Sequence, residues 1–251
     1  MFQAIKPLSN PAMGACWQEK NFQFGLVATD VVCIHYVFYA DLLPQAGTEA
    51  ALLNLVELDK QFQFGDVWGW QAEYSGKNEA PLTYLIQLEK SDGTKHFVID
   101  PFARESRGGE QWGRTLGFAV DAEDYSLKVF SRTQDYFFHG IRRLPVIRPE
   151  TPTVKITSRP PAPQHSLEQS IVYECHLRGM TRNPSSTVAD SAASGTYLGL
   201  TNCIPHLKTL GVTAVELLPV FDFDENERTF SADDKVHPLY NYWGYSTLQF
   251  F

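Results

Sequence analysis

Residues 171–177 read IVYECHL and residues 212–220 read VTAVELLPV, with TYLGLTNCIPHLKTLG (196–211) between them. Each outer run is almost unbroken in apolar residues, the pattern of a strand covered on both faces within a parallel sheet. In the middle piece Tyr197, Leu200, Ile204, Leu207 and Leu210 recur at three-and-four spacing, which marks one face of a helix. Pro205 falls inside this pattern and predicts a kink or a restart, and Gly211 is placed as the residue just past the helix end. Strand, crossover helix and strand make a βαβ unit whose two strands lie parallel and adjacent.

Upstream the grammar differs. Residues 148–170, RPETPTVKITSRPPAPQHSLEQS, hold five prolines and little to bury, which reads as a linker or crossing segment. Before it the period is two. Phe22, Phe24 and Leu26 share one face of a strand, VVCIHYVFYA (31–40) is β-branched and aromatic on both faces, and Leu82, Tyr84, Ile86 and Leu88 alternate. SDGT (91–94) then supplies a hairpin turn before KHFVID resumes. LGFAV and YSLKVF continue the series, so the first half is an antiparallel sandwich. The boundaries expected are residues 1–150, a linker over 151–170 and a second domain over 171–251.

The chain has 251 residues, 43% of them hydrophobic and 13% aromatic, so it is globular by composition. Asp and Glu number 29 against 21 Lys and Arg, and the formal charge of -8 is spread without blocks. A nucleic-acid partner is disfavoured, since phosphate binding needs a basic stripe. No apolar run approaches the length that spans a bilayer, so no membrane partner is expected, and the N-terminal residues lack the apolar centre of a signal peptide. Cys16, Cys33, Cys175 and Cys203 form no CxxC pair and have no His at zinc-finger spacing. Buried, reduced thiols in a cytoplasmic protein are the expectation.

The pieces IVYECHLRGMT, GTYLGL, IPHLKTLGVTAVELLPVFDFDE and NYWGYST, in this order, resemble the opening of the catalytic barrel of glycoside hydrolase family 13, and within it the isoamylase-type glycogen debranching enzymes. Upstream, GACWQEKNFQFGLVATD and VIDPFARE are similar to the carbohydrate-binding module family 48 domain that precedes such barrels. The resemblance implies an immunoglobulin-like β-sandwich followed by the first βαβ part of an incomplete TIM barrel. It further implies hydrolysis of α-1,6 branch linkages in glycogen or a related α-glucan, with a branching enzyme or a non-catalytic glucan-binding protein as rival readings. A complete (β/α)₈ barrel takes about 250 residues, whereas residues 171–251 number 81. No catalytic carboxylate of the family has a counterpart here, so none is assigned, and the missing C-terminal barrel segment is an expected partner. By the same resemblance Tyr245 is the ring that stacks on a sugar beside the scissile bond, with Trp243 a second substrate-binding candidate and Gly244 letting the backbone pass.

Several other residues invite chemistry. Glu174 and Glu216 lie within the two apolar strands, and their expected role is that of buried carboxylates paired with Arg178 or backbone donors, because an unpaired one would be costly. His176 is expected to be fixed by hydrogen bonds at a strand end, His35 to be an ordinary sheet residue and His206 to face solvent. Asp222, Asp224, Glu225 and Glu227 in FDFDENE could suggest calcium, but the spacing is not that of an EF-hand and a solvated loop is expected. No cofactor and no metal ligand set is therefore read. Trp68 and Trp70 offer either a glucan platform or a packing role, and filling the core or the domain interface is the expected reading.

Overall fold

The computed structural model describes residues 2–18, 21–41, 44–75, 81–109, 112–113, 116–131, 140–148, 165–186, 192–227, 230–231 and 238–250. They divide into two compact units, Met1–Pro152 with Phe223–Asn241 and Leu248–Phe251, and Thr153–Asp222 with Tyr242–Thr247. All five prolines expected to form a linker lie outside the described residues.

The first unit is built on antiparallel sheets. In one, Phe2–Pro7, Val67–Tyr74, Asn21–Val27 and Gly14–Gln18 lie side by side in that order. In the other the order is Ser106–Arg107, Leu144–Ile147, Leu82–Lys90, Val31–Ala40 and Asn54–Leu58. Lys95–Val98 folds back on Leu82–Lys90 through SDGT, where Asp92 Oδ1 accepts the Thr94 N–H and O–H at 2.9 and 2.6 Å and Gly93 takes φ +82°.

Alternation turns the apolar residues of both sheets inward to one core. Phe22, Phe24, Leu26, Trp68 and Trp70 from the first meet Ile34, Tyr36, Phe38, Tyr84 and Ile86 from the second. The Phe24 and Trp70 rings stack 4.6 Å apart at 4°, and aromatic rings of this size dominate core energetics. Trp68 and Trp70 are fully buried, which makes them core and excludes a glucan platform. The far face of the second sheet holds another core, where Val37, Tyr39 and Leu85 pack with Phe118, Leu127 and Val129 of the small sheet formed by Leu116–Val120, Leu127–Ser131 and Glu49–Ala50.

Two strand glycines carry a close backbone approach. Gly25 and Gly69 face each other in neighbouring strands. Leu8–Ala12 crosses directly over them: the Leu8 N–H donates to the Gly69 carbonyl at 3.0 Å, and a Cβ at either glycine would run into the Leu8 or Ala12 carbonyl and the Pro11 ring.

The GACW and VIDPFARE pieces meet in space. Gly14, at φ +74°, sits against Phe102 and Asp100. Buried Asp100 accepts the Tyr84 hydroxyl at 2.6 Å and the Phe102 N–H at 2.9 Å. Further along, Arg107 grips Asp41 with two bonds, Nε–Oδ1 2.9 Å and Nη2–Oδ2 2.8 Å, and donates a third to Glu105, which Arg148 also holds with two. Arg148 first, and Arg107 after it, hold the Glu105 carboxyl below its ordinary value. A depressed carboxylate stabilises the fold above its unfolded pKa, about 4.3 for Glu, and loses that contribution as pH falls through the folded value. The variant Glu105→Gln is therefore expected to melt below the parent at neutral pH, with the gap closing as the pH is taken below about 4. A gap that stays constant across a pH series of melting curves would contradict this.

The second unit carries the βαβ arrangement. Val172–Cys175 and Ala214–Leu217 pair in parallel, and the helix Tyr197–Thr209 lies between them in sequence. Thr196 caps that helix by accepting the Gly199 N–H, and Gly211 follows its end at φ +80°. The helix continues as one element through Pro205, so the expected restart does not occur. The apolar stripe is only partly used: Leu207 is buried, while Tyr197, Ile204 and Leu210 are exposed. A shorter helix, Leu177–Arg182, starts at the end of the first strand. Among the described residues no helix is long and apolar enough to cross a membrane.

Candidate functional site

In the second unit the first parallel strand ends at Cys175 and hands over to His176, which caps the helix Leu177–Arg182. Its Nδ1 accepts the Gly179 N–H at 2.9 Å. The accepting role of Nδ1 leaves the proton on Nε2, which lies 2.7 Å from the Tyr242 carbonyl and donates to it. The imidazole also stacks on the Tyr242 ring, 4.5 Å between centroids at 19°. Both ring nitrogens and one ring face are thus engaged in holding backbone, as the sequence reading of a fixed histidine expects, and neither nitrogen is left for proton transfer.

The next residues of this loop turn outward. Trp243 is 62% exposed and Tyr245 53%, with ring centroids 6.4 Å apart at 37°. Gly244 between them adopts φ +80° and Ser246 φ +64°. A side chain at 244 would be strained there, so glycine is what allows two large rings to flank a left-handed residue. Such a pair can take the C–H face of a pyranose against an aromatic face. Tyr242 is itself more covered than Trp243, because it serves as the anchor.

Tyr242 and Gly179 were invisible as partners in the sequence. The Tyr242 carbonyl and ring meet His176 from 66 residues away, and a Cβ on Gly179 would stand 3.3 Å from the Tyr242 hydroxyl. The only sequence signal was the glycine directly after Arg178, inside the short helix Leu177–Arg182.

Glu174 and Glu216 stand opposite each other in the register of the two parallel strands, and both are exposed. This corrects the expectation of buried carboxylates. Strands that are apolar by sequence stay largely open to solvent: Val172 and Val215 are exposed as well. Solvation therefore removes the need for buried counter-charges. His206 is exposed, as expected, while Cys16, Cys33 and Cys203 are only partly buried; Cys175 alone matches the buried reading, and all four are unpaired.

The acidic run FDFDENE is a second correction. In the first unit Asp224 and Glu225 are buried rather than solvated. Arg142 Nε is 3.4 Å from Asp224, and Arg143 Nη2 is 3.5 Å from Glu225 and donates to the Phe223 carbonyl at 2.7 Å. The Gly113 N–H donates to Glu225 at 3.1 Å, and the Asn241 N–H to the Glu225 carbonyl at 2.7 Å. Asp224 and Glu225 are thus paired with guanidinium groups and act as a structural clamp.

No family model matches the chain. Isoamylase 3, chloroplastic, of Oryza sativa subsp. japonica is 47% identical over 224 residues, 83% of this chain and 25% of that protein. The isoamylase of a Flavobacterium species is 40% identical over 154 residues, covering 61% and 18%. A glycogen operon protein GlgX homolog of Mycobacterium tuberculosis is 40% identical over 156 residues, covering 61% and 20%. The chain thus spans a quarter or less of the length of these relatives. Among solved structures, the pullulanase of Paenibacillus barengoltzii in complex with maltohexaose and alpha-cyclodextrin aligns with a TM-score of 0.56 at 20% identity, over 96% of this chain and 32% of that one. At that identity the likeness speaks for the fold: a β-rich region with few helices, of the kind such enzymes contain.

Proposed function

Because this chain is a relative of the isoamylase-type debranching enzymes of glycoside hydrolase family 13, we propose that it forms the N-terminal portion of an enzyme hydrolysing α-1,6 branch linkages in glycogen or a related α-glucan. Residues 1–150 are then a carbohydrate-binding module family 48-like, immunoglobulin-like sandwich, 151–170 the linker, and 171–251 the first βαβ part of a (β/α)₈ barrel. The loop after the second barrel strand lies on the face where such barrels gather their sites.

One observation carries the reading: the adjacent exposed rings of Trp243 and Tyr245, on a loop whose backbone His176 holds. In this assignment Tyr245 stacks on the sugar beside the scissile bond and Trp243 widens the platform. The reaction itself needs two carboxyl groups about 5 Å apart, one as nucleophile and one as acid then base, passing through a glycosyl-enzyme intermediate. We assign both to sequence beyond these 251 residues, so the chain alone binds glucan and does not cleave it. Four unpaired cysteines suit a reducing compartment, the cytoplasm in our reading; four plant relatives are named chloroplastic.

The test compares Tyr245→Ala with Tyr245→Phe in a polypeptide carrying the complete barrel. The Ala variant is expected to lower kcat/KM on a branched glucan at least about tenfold, which is about 1.4 kcal/mol of transition-state binding. The Phe variant keeps the ring face and stays near the parent. Equal turnover by the parent and the Ala variant would remove Tyr245 from the site.

A further inference from the structure

We propose that Cys33, His35 and Glu89, with Glu57 beside them, form a binding site for a divalent cation of the zinc class on the outer face of the second sandwich sheet. The placement follows from strand register. Cys33 and His35 are two apart in Val31–Ala40 and so share a face. Glu89 lies opposite Cys33 on one neighbouring strand, and Glu57 opposite His35 on the other. Three strands therefore deliver a thiol, an imidazole and two carboxylates to one end of the sheet.

The ligating atoms of Cys33, His35 and Glu89 all lie within 4.8 Å of one another. Cys33 Sγ is 3.9 Å from each His35 ring nitrogen, and Glu57 Oε2 is 3.6 Å from Nε2. Bonds of about 2.0–2.3 Å to a tetrahedral ion put ligand atoms roughly 3.3–3.8 Å apart, so closure asks for about 1 Å of side-chain rotation. Cys33 and Glu89 are half-buried, and the Glu57 side chain is 67% exposed, which leaves them that freedom. His35 is the fixed member: it is buried, with the Tyr125 ring 6.4 Å away. The buried Gln87 amide, which accepts from the Tyr125 hydroxyl at 3.4 Å, lies opposite His35 on its strand.

The donor set decides the class of ion. A thiolate and an imidazole favour zinc and its neighbours over calcium or magnesium, which take oxygen. Lys95 Nζ lies 3.1 Å from Glu89, and as a half-exposed side chain it can swing away when an ion arrives. A bound ion would release the Cys33 proton and tie the three strands together through their side chains.

The 251-residue chain, reduced and free of oxygen, is titrated with Co²⁺ and then Zn²⁺. The expected result is a thiolate-to-cobalt charge-transfer band saturating at one equivalent, bleached by Zn²⁺, together with a zinc-dependent rise in melting temperature. Cys33→Ser should abolish the band, while Cys16→Ser and Cys203→Ser leave it intact. Glu89→Gln, a half-exposed change outside both cores, should weaken cobalt binding at least about tenfold. No band, or a band that survives Cys33→Ser, overturns the site. Should Cys33→Ser fail to fold, Glu89→Gln decides: unchanged cobalt affinity in that variant also overturns it.

Discussion

Replacing Gly69 with Ala is expected to destabilise the first unit by about 3 kcal/mol, the upper part of the range for overpacking a rigid site. The new methyl would enter the space of the Leu8 carbonyl, the same residue whose N–H donates to Gly69. Relief requires either lifting Leu8–Ala12 off the sheet or bending the strand Val67–Tyr74, which is paired on both sides and whose Trp68 and Trp70 are central to the core. Lifting the segment would also pull on Phe2–Pro7, which precedes it and pairs with the same strand. Gly25→Ala meets the Ala12 carbonyl and Pro11 and should behave alike. By contrast Gly47→Ala and Gly65→Ala face open space and carry only the strain of a positive φ, about 1–2 kcal/mol. Urea denaturation of the four variants checks the ranking. Gly69→Ala at parent stability would mean that Leu8–Ala12 does not cross where it is described.

The second large effect is expected at Arg143. This buried guanidinium donates to the carbonyls of Gly108, Arg142 and Phe223 and sits against Glu225. Arg143→Met would leave Glu225 buried without its guanidinium and remove the donor to three carbonyls, and the loss should reach about 3–5 kcal/mol. Glu225→Gln should cost less, about 1–3 kcal/mol, because the amide keeps an acceptor for Gly113 and the arginine keeps its carbonyls. Combining Arg143→Met with Glu225→Leu should recover part of the loss, since no unpaired charge remains. Denaturation midpoints of these variants, and of Glu225→Leu alone to complete the cycle, decide this. A double variant that is simply the sum of the two losses would show that the pair does not act as a unit.

The fold was legible wherever burial has a period. Phe22, Phe24 and Leu26, or Leu82, Tyr84 and Ile86, announce their faces because a strand side chain has only two directions, and the structure buries all six. The βαβ unit was legible for the same reason, and so was the SDGT hairpin, whose turn chemistry is local. Contacts distant in sequence were not readable. The crossing of Leu8–Ala12 leaves only two strand glycines as a trace, and an acidic run looks solvated until Arg142 and Arg143 are seen beside it. At the candidate site, Trp243 and Tyr245 were named from resemblance, whereas the His176 anchor to Tyr242 depends on three-dimensional proximity that no spacing encodes. The Cys33 and Glu89 pairing escaped notice because register between strands more than 50 residues apart is not written in either one.

The most direct test of the functional proposal is a paired assay on a branched glucan, reading reducing ends and iodine colour together, with the 251-residue chain and with a polypeptide that extends it through a complete barrel. The account predicts that the extended protein releases reducing ends and deepens the iodine colour, while the chain by itself does neither. Reducing ends released by the chain alone would contradict the assignment of the catalytic carboxylates to sequence beyond residue 251; a change in iodine colour without new reducing ends from the extended protein would mark a transferase and contradict the debranching assignment.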